Sequence, residues 1–218
     1  MSAIEPSADF VARHSAELTL RSGDRVRLRP VLPSDRDGIA AAYGRLSRES
    51  RRMRFFIPLA ALTPEMLAEL SEVDHFDRAA WLAQVEENGR WTGIGIARYI
   101  RDHERPDTAE AAVTVVDSFQ GHGIGTVLLE ILTFAALDHG IGTFVGQVLR
   151  DNDRMLSVLR HAHARFEFDE PGVLRFEIDL PERADELRNT SLYQLLKAVA
   201  EGQPVDDQGD GLPMRDKT

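Results

Sequence analysis

The chain has 218 residues, 43% of them hydrophobic, enough to bury one full core and suited to a single domain with appendages. Its 36 acidic against 26 basic residues give a net charge of -10, which argues against a nucleic-acid partner; a cationic amine would suit such a surface, but the commoner use of acidity is to keep soluble proteins apart. The absence of cysteine excludes disulfides, thiolate metal sites and cysteine nucleophiles.

Residues 1–22 are polar, with Phe10, Val11 and Leu18 among the few apolar positions, and are expected to hold one short helix. They lack the basic and apolar regions of a signal peptide. No apolar run approaches the roughly 20 residues that cross a bilayer, so a cytoplasmic location without membrane contact is expected. Arg25 to Pro30 alternates in the strand period, with Val26 and Leu28 on one face. After Pro33, Ser34 and Asp35 are candidate caps for a helix through about Leu46, and a polar helix from Arg48 to Met53 follows. Arg51, Arg52 and Arg54 beside Phe55 and Phe56 read as a solvated helix end with two core anchors. Thr63-Pro64-Glu65 opens a further helix to about Val73, with proline at its first position. His75, with Asp74 and Asp77, reads as a loop feature within reach of a substrate mouth.

Ala79 to Val85 and Trp91 to Ile100 read as strands joined by a hairpin turn at Asn88-Gly89, the second thinned by Gly93 and Gly95. A charged loop from Asp102 to Asp107 leads into Ala111 to Val116, a short valine-rich stretch expected to be a buried strand. Beyond it, Gln120 to Gly125 carries three glycines at alternate positions. From Thr126 onward Val127, Leu128, Ile131, Leu132 and Ala135 recur at helical spacing. Thr143 to Leu149 reads as a strand, Asp151 to Ala162 as a helix, and Arg165 to Phe168 with Val173 to Leu180 as a closing strand pair around Pro171-Gly172. Past Arg183, Leu187, Leu192, Leu195, Leu196 and Val199 mark an amphipathic helix. After Gly202 the polar, glycine-rich composition is that of a disordered tail. The expected division is an extension over 1–22, a domain over 23–181, a helix over 182–201 and a tail over 202–218.

The strand, glycine turn and helix around Gly121, Gly123 and Gly125 form the most informative stretch. Glycines let the backbone take positive φ and approach a ligand, while the first amides of the following helix lack intrahelical partners. Together they suit a phosphate or pyrophosphate, although such turns also occur simply to start helices. A triphosphatase loop would need Gly-Lys followed by Ser or Thr, and no lysine is present in this turn. A dinucleotide fold would need G-x-G-x-x-G and an acidic residue about 20 positions on, but the glycines run G-x-G-x-G and no acidic residue lies between Asp138 and Asp151.

Gln120-Gly121-His122-Gly123-Ile124-Gly125 resembles the Q/R-x-x-G-x-G/A signature of the Gcn5-related N-acetyltransferases (GNAT). Val73 to Ala80, Gly93 to Ile100, Ala109 to Asp117 and Val148 to Leu156 are similar to the catalytic domain of bacterial Pat-type protein lysine acetyltransferases. The resemblance covers roughly Val26 to Leu180. It implies an α/β fold with a mixed sheet that splays near its middle, the thioester of acetyl-CoA lying in the gap. In some members the domain is fused to a cyclic-nucleotide-binding or acyl-CoA synthetase-like module, and neither is expected within these residues.

A lysine amine has an unperturbed pKa of about 10.4, so near pH 7 only on the order of one in a thousand is the free base that attacks a thioester. A general base or a depressed amine pKa is therefore needed. Glu110, where the central strand begins, is the candidate, matching a glutamate with that role in the resembled family; an exposed strand-end glutamate is the plain alternative. The resemblance further implies that main-chain groups of Val113, Thr114 and Val115 bind the pantetheine arm, with an amide near Val115 or Val116 facing the oxyanion. It assigns the pyrophosphate to Gly121, His122, Gly123, Ile124, Gly125 and Thr126, with Gln120 in the signature and Asn152 contacting the coenzyme. Capping the next helix is an equally good use of Asn152.

Three positions depart from the family pattern. His122 replaces a common arginine or lysine, Leu159 stands where many members carry a general-acid tyrosine, and His163-Ala164 lies near a usual Gly-Phe. His161 and His163 face different sides of a helix, so no metal is expected. The expected acceptor is a protein lysine. A small-molecule amine, or a non-catalytic module that senses acyl-CoA, remains open.

Overall fold

In a computed structural model, which describes residues 6–20, 23–57 and 59–181, the strand signals assemble into one eight-stranded sheet. The elements are α1 (Ala8–Arg13), β1 (Ala16–Thr19), β2 (Arg25–Pro30), α2 (Arg36–Gly44), α3 (Arg48–Phe55), α4 (Pro64–Ser71), β3 (Arg78–Glu87) and β4 (Arg90–Arg101). Then come β5 (Thr108–Val115), α5 (Ile124–Asp138), β6 (Thr143–Leu149), α6 (Asp153–His161), β7 (Arg165–Glu170) and β8 (Val173–Asp179). Strand order is β1-β2-β3-β4-β5-β6-β8-β7, antiparallel throughout except for β5 beside β6. The helix and tail expected over 182–218 lie outside the described residues.

Turn chemistry fixes the long β3–β4 hairpin. Asn88 (φ 53°) and Gly89 (φ 73°) both adopt the left-handed conformation of a type I′ turn, whose twist matches that of the paired strands. Gly95 on β4 serves a different purpose. A Cβ there would stand 3.0 Å from Leu128 Cδ1 and 3.1 Å from the Thr114 carbonyl oxygen, so the missing side chain lets α5 settle on the sheet.

Side-chain alternation divides the core between the two faces of the sheet. On one face Ala109 and Ala111 of β5 join Val127, Leu128, Ile131 and Leu132 of α5, Phe144 and Val148 of β6, Leu156 and Leu159 of α6, and Phe176 of β8. On the other, Val31, Ile39, Leu70, Val73, Ala80 and Leu82 gather under α2 and α4. Glu110, Ala112 and Thr114 of β5 belong to this second face.

Two expectations need correction. Residues 16–19 form an edge strand paired with β2 in the register Ala16↔Leu28 and Leu18↔Val26, where only a helix was expected before residue 23. Four residues give only two inward positions, too few for alternation to register. At α2, Asp35 makes no side-chain cap; its carboxylate accepts from the Leu32 amide and from both terminal nitrogens of Arg29, at 2.6 and 2.7 Å. Thr63 does cap α4, accepting from the Met66 amide, with Pro64 in the first turn.

The half-buried Glu130 of α5 makes a testable exception to the helix's apolar character. Burial raises its pKa from 4.5 to about 7. Between those values the unfolded chain binds fewer protons than the folded one, so stability falls as pH rises through that window and stays lower above it. Glu130→Gln is expected to match the parent near pH 4 and to exceed it at pH 8 by on the order of 2–3 kcal/mol. Urea midpoints measured across that range check this.

Candidate active site

The sheet opens beside β5. Its parallel ladder with β6 comprises Thr108↔Thr143, Ala109↔Phe144 and Glu110↔Val145, whereas pairing with β4 continues as far as Val115. Beyond that last rung the main-chain groups that face β6, namely those of Val113 and Val115 and the Ala111 carbonyl, have no strand partner among the described residues and a polar ligand can use them, whereas those of Ala112 and Thr114 face β4. Among these, the Val115 carbonyl is engaged, accepting from Gln120 Nε2 at 2.9 Å. Val113, Thr114 and Val115 line this gap as half-buried residues, and Glu110 marks its fork.

The glycine turn stands at the far end of the same strand. After a short 3-10 turn over Asp117–Phe119, Gly121 and Gly123 both take φ 83°, and Gly123 is the N-cap of α5. No side chain caps this helix, so its first amides, from Ile124, Gly125 and Thr126, remain directed at whatever occupies the turn. Gly121, His122, Gly123 and Thr126 are exposed, while the Ile124 side chain is buried in the core and can offer only its backbone. Helix α5 thus begins at Ile124, one residue before Gly125, where the sequence placed its start.

Gln120 is a bolt on the protein side. Besides the Val115 carbonyl, its Nε2 donates to Ser50 Oγ at 3.2 Å and its Oε1 accepts from Arg154. Asn152 caps α6, with Oδ1 accepting from the Met155 amide at 3.1 Å, so the capping use is realised.

Helix α3 forms a wall across this end of the sheet. The Asp117 carboxylate accepts from the Ser47 amide (2.9 Å), Ser47 Oγ (2.7 Å) and Ser50 Oγ (2.8 Å). Burial pushes Asp117 up, but those donors outweigh it and hold the carboxyl below its ordinary range. Arg52 bridges Glu49 (2.7 Å) and Asp151 (2.6 Å), and Arg51 donates to the carbonyls of Gly44, Leu46 and Ala60. These arginines are half-buried connectors, not the solvated helix end read from the sequence. Their neighbours differ as well: Phe55 packs edge-on against Tyr43, whereas Phe56 is exposed at φ 61°.

Beneath α2 and α3 lies a cavity of about 290 Å³, lined by Tyr43, Arg54, Phe55, Leu82, Arg98 and Thr114 among others. On β5 it touches Ala112, Thr114 and Val116, which continue the face that Glu110 begins. Glu110 is exposed, and its charge favours the protonated forms of both Arg54 and Arg98. His75 does not line this cavity: it is buried, Nε2 lies 3.0 Å from the Val31 carbonyl, and its ring neighbours Phe10 and Trp81. Burial pushes its pKa down. Among the described residues no group of three or more acidic or histidine side chains could hold a metal ion.

The sequence matches the family described as the acetyltransferase (GNAT) domain over residues 25–165. The chain belongs to the GNAT family. This GNAT chain is similar to the acetyltransferase Pat of Mycolicibacterium smegmatis, at 30% identity over 191 residues that make up 84% of this chain and 56% of the relative. Among solved structures it is similar to the GNAT domain of S. lividans PAT, with TM-score 0.71, 32% identity and coverage of 81% of this chain and 100% of that one. It is also similar to a cAMP-binding acyltransferase from Mycobacterium smegmatis, with TM-score 0.56, 28% identity and coverage of 89% and 56%. The chain spans between about half and two thirds of the length of the curated relatives it matches.

The departures from the GNAT pattern have structural meanings. Leu159 is buried in the main core. His163 takes φ 57°, the left-handed conformation that a glycine adopts without cost. Two tyrosines near the site are engaged elsewhere. Tyr43 donates to the Leu59 carbonyl at 2.8 Å, and Tyr99 donates to the Phe76 carbonyl at 2.9 Å and lies 2.7 Å from His139 Nδ1. Burial pushes both phenols above their ordinary range. Tyr193 lies outside the described residues.

Proposed function

We propose that this protein transfers the acetyl group of acetyl-CoA to a primary amine, that of a protein lysine, by direct attack within a ternary complex. One observation carries the reading: the fork between β5 and β6 has Glu110 at its base and the uncapped amides of α5 at the end of the same strand. The residues fit an acyl-CoA. Amides from Gly121 to Thr126 take the pyrophosphate, unpaired main-chain groups of β5 that face β6 take the pantetheine arm, and the thioester comes to rest beside Glu110. Glu110 accepts the amine proton, directly or through a water, as nitrogen bonds to the thioester carbon. The amides expected near Val115 and Val116 do not reach the oxyanion there, since Val115 stands about 16 Å along the strand from Glu110 and the Val116 amide already donates to the Ile94 carbonyl at 2.8 Å. The carbon–sulfur bond then breaks, and the thiolate leaves with a proton drawn from water, since among the described residues both tyrosines are engaged elsewhere.

The acceptor class is supported by the similarity to proteins named Pat. Incubating the chain with a bacterial proteome and labelled acetyl-CoA is expected to place label on protein lysines and release free thiol. Label confined to small molecules would replace the protein acceptor with a small amine. Coenzyme binding without thiol release would leave only a sensing module.

A further inference from the structure

The cavity beneath α2 and α3 holds two guanidinium groups without a carboxylate of their own. Among the described residues neither guanidinium makes a hydrogen bond or ion pair; that of Arg54 lies over the ring of its neighbour Phe55, with Cζ 4.9 Å from the centroid. Arg98 stands between Ala80 on β3 and Ala112 on β5, whose small side chains leave its guanidinium room beside the cavity. The remaining walls, including Tyr43, Leu46, Phe55, Leu82 and Ile96, are largely apolar. One lining carboxylate, Asp35, is already committed to Arg29 and the Leu32 amide.

Half-buried cations in an apolar setting are costly unless an anion meets them. Burial and their mutual repulsion hold Arg54 down at about 10, and burial also lowers Arg98. Glu110 counters both from a distance and Glu69 also counters Arg98, but on the proposed pathway Glu110 takes up a proton and loses its charge. Arg54 is then left without a counter-charge and Arg98 with distant Glu69 alone, so a negative charge on the acceptor is favoured there. This chemistry selects a carboxylate, since a guanidinium fork matches its two oxygens.

We propose that Arg54 and Arg98 form an acceptor subsite for a carboxylate, so that the favoured amine carries an acidic group held in this cavity while the nitrogen lies at Glu110. Along β5, Ala112 and Thr114 place the cavity one to two pleats from Glu110, about 7–14 Å, a span that an acidic side chain flanking a lysine covers. The α-carboxylate of a free amino acid offers the same chemistry. The subsite rests on the amine-transfer reading for its use, but not for its existence.

Calorimetry on the full chain with glutarate and with the neutral glutaramide tests the site without catalysis. Saturable binding of glutarate alone is expected, weakened at least tenfold in Arg54→Gln and Arg98→Gln and partly restored in Arg98→Lys. Acetyl-CoA titration and thermal melts check that the variants are folded, and the two-ligand comparison on the parent stands if they are not. In steady-state assays a lysine peptide with an adjacent glutamate is expected to exceed its glutamine counterpart about tenfold in kcat/KM, the ratio falling towards one in the variants. A larger effect on free amino acids than on peptides would identify the α-carboxylate as the source. Equal binding of glutarate and glutaramide, or absence of both, overturns the subsite even if acetyl transfer proceeds. Glutarate binding without transfer to any amine overturns the transferase reading and leaves the subsite standing.

Discussion

Replacing Glu110 with glutamine is expected to lower kcat/KM for the amine acceptor by about 10²–10⁴ at pH 7, with the loss shrinking as pH approaches 10. The pH trend follows from the acceptor. Near neutrality almost all of a lysine is protonated and a base must remove the proton during attack, whereas near pH 10 a large fraction is already free. Structural damage is not expected to contribute. Glu110 is exposed, makes no hydrogen bond through its side chain among the described residues, and is held in the sheet by backbone pairing to Ile100 on one side and Val145 on the other. Glutamine keeps the shape and removes the basicity together with the charge that favours protonated Arg54 and Arg98; because Glu110 is exposed, melting temperature and acetyl-CoA affinity should stay close to parental values. Equal activity of variant and parent at both pH values would remove Glu110 from the role.

What the sequence made legible were features whose cause is local. The alternation of Val26 and Leu28 produced β2, Asn88-Gly89 produced a hairpin turn, and the glycines around His122 produced a left-handed approach to the α5 amides. Pro64 and Thr63 opened α4 as capping chemistry demands. The features that stayed hidden depend on distant partners. Arg54 reads as solvent-facing because Arg48 to Phe55 has arginines on every side. Its half-buried position follows from the cavity formed where α3 meets strands far away in sequence. Arg98 looks like an ordinary outward residue of β4 until Ala80 and Ala112 are seen on either side. Asn152 and Gln120 show a subtler limit: a coenzyme signature fits them, yet both side chains also secure the protein to itself. Motif position alone does not separate those uses.

Gly146→Val is expected to destabilise the fold by about 3 kcal/mol or more, because the fork beside Glu110 depends on an approach with no room for a side chain. Gly146 follows Val145, the last residue of β6 paired to β5. A Cβ there would lie 2.6 Å from Phe176 Cζ, 2.7 Å from its Cε1 and 3.1 Å from the Ala111 carbonyl oxygen. Phe176 is locked in the main core, so its ring cannot turn aside without losing burial worth about 1.5–3 kcal/mol. The other escape moves β6 away from β5 and strains a parallel ladder of only three residue pairs. In a chain of this size a 3 kcal/mol loss lowers the melting temperature by roughly 6–12 °C. Gly142→Ala is the control: nothing lies within 4 Å of its added Cβ, and its melting temperature should stay within about 2 °C of the parent's. The variant at Gly146 should also bind acetyl-CoA less tightly wherever it remains folded, since the gap proposed for the pantetheine arm begins at Ala111. A Gly146→Val protein that melts with the parent would mean that Phe176 and Ala111 leave more space than the geometry allows, and that the fork is held open elsewhere.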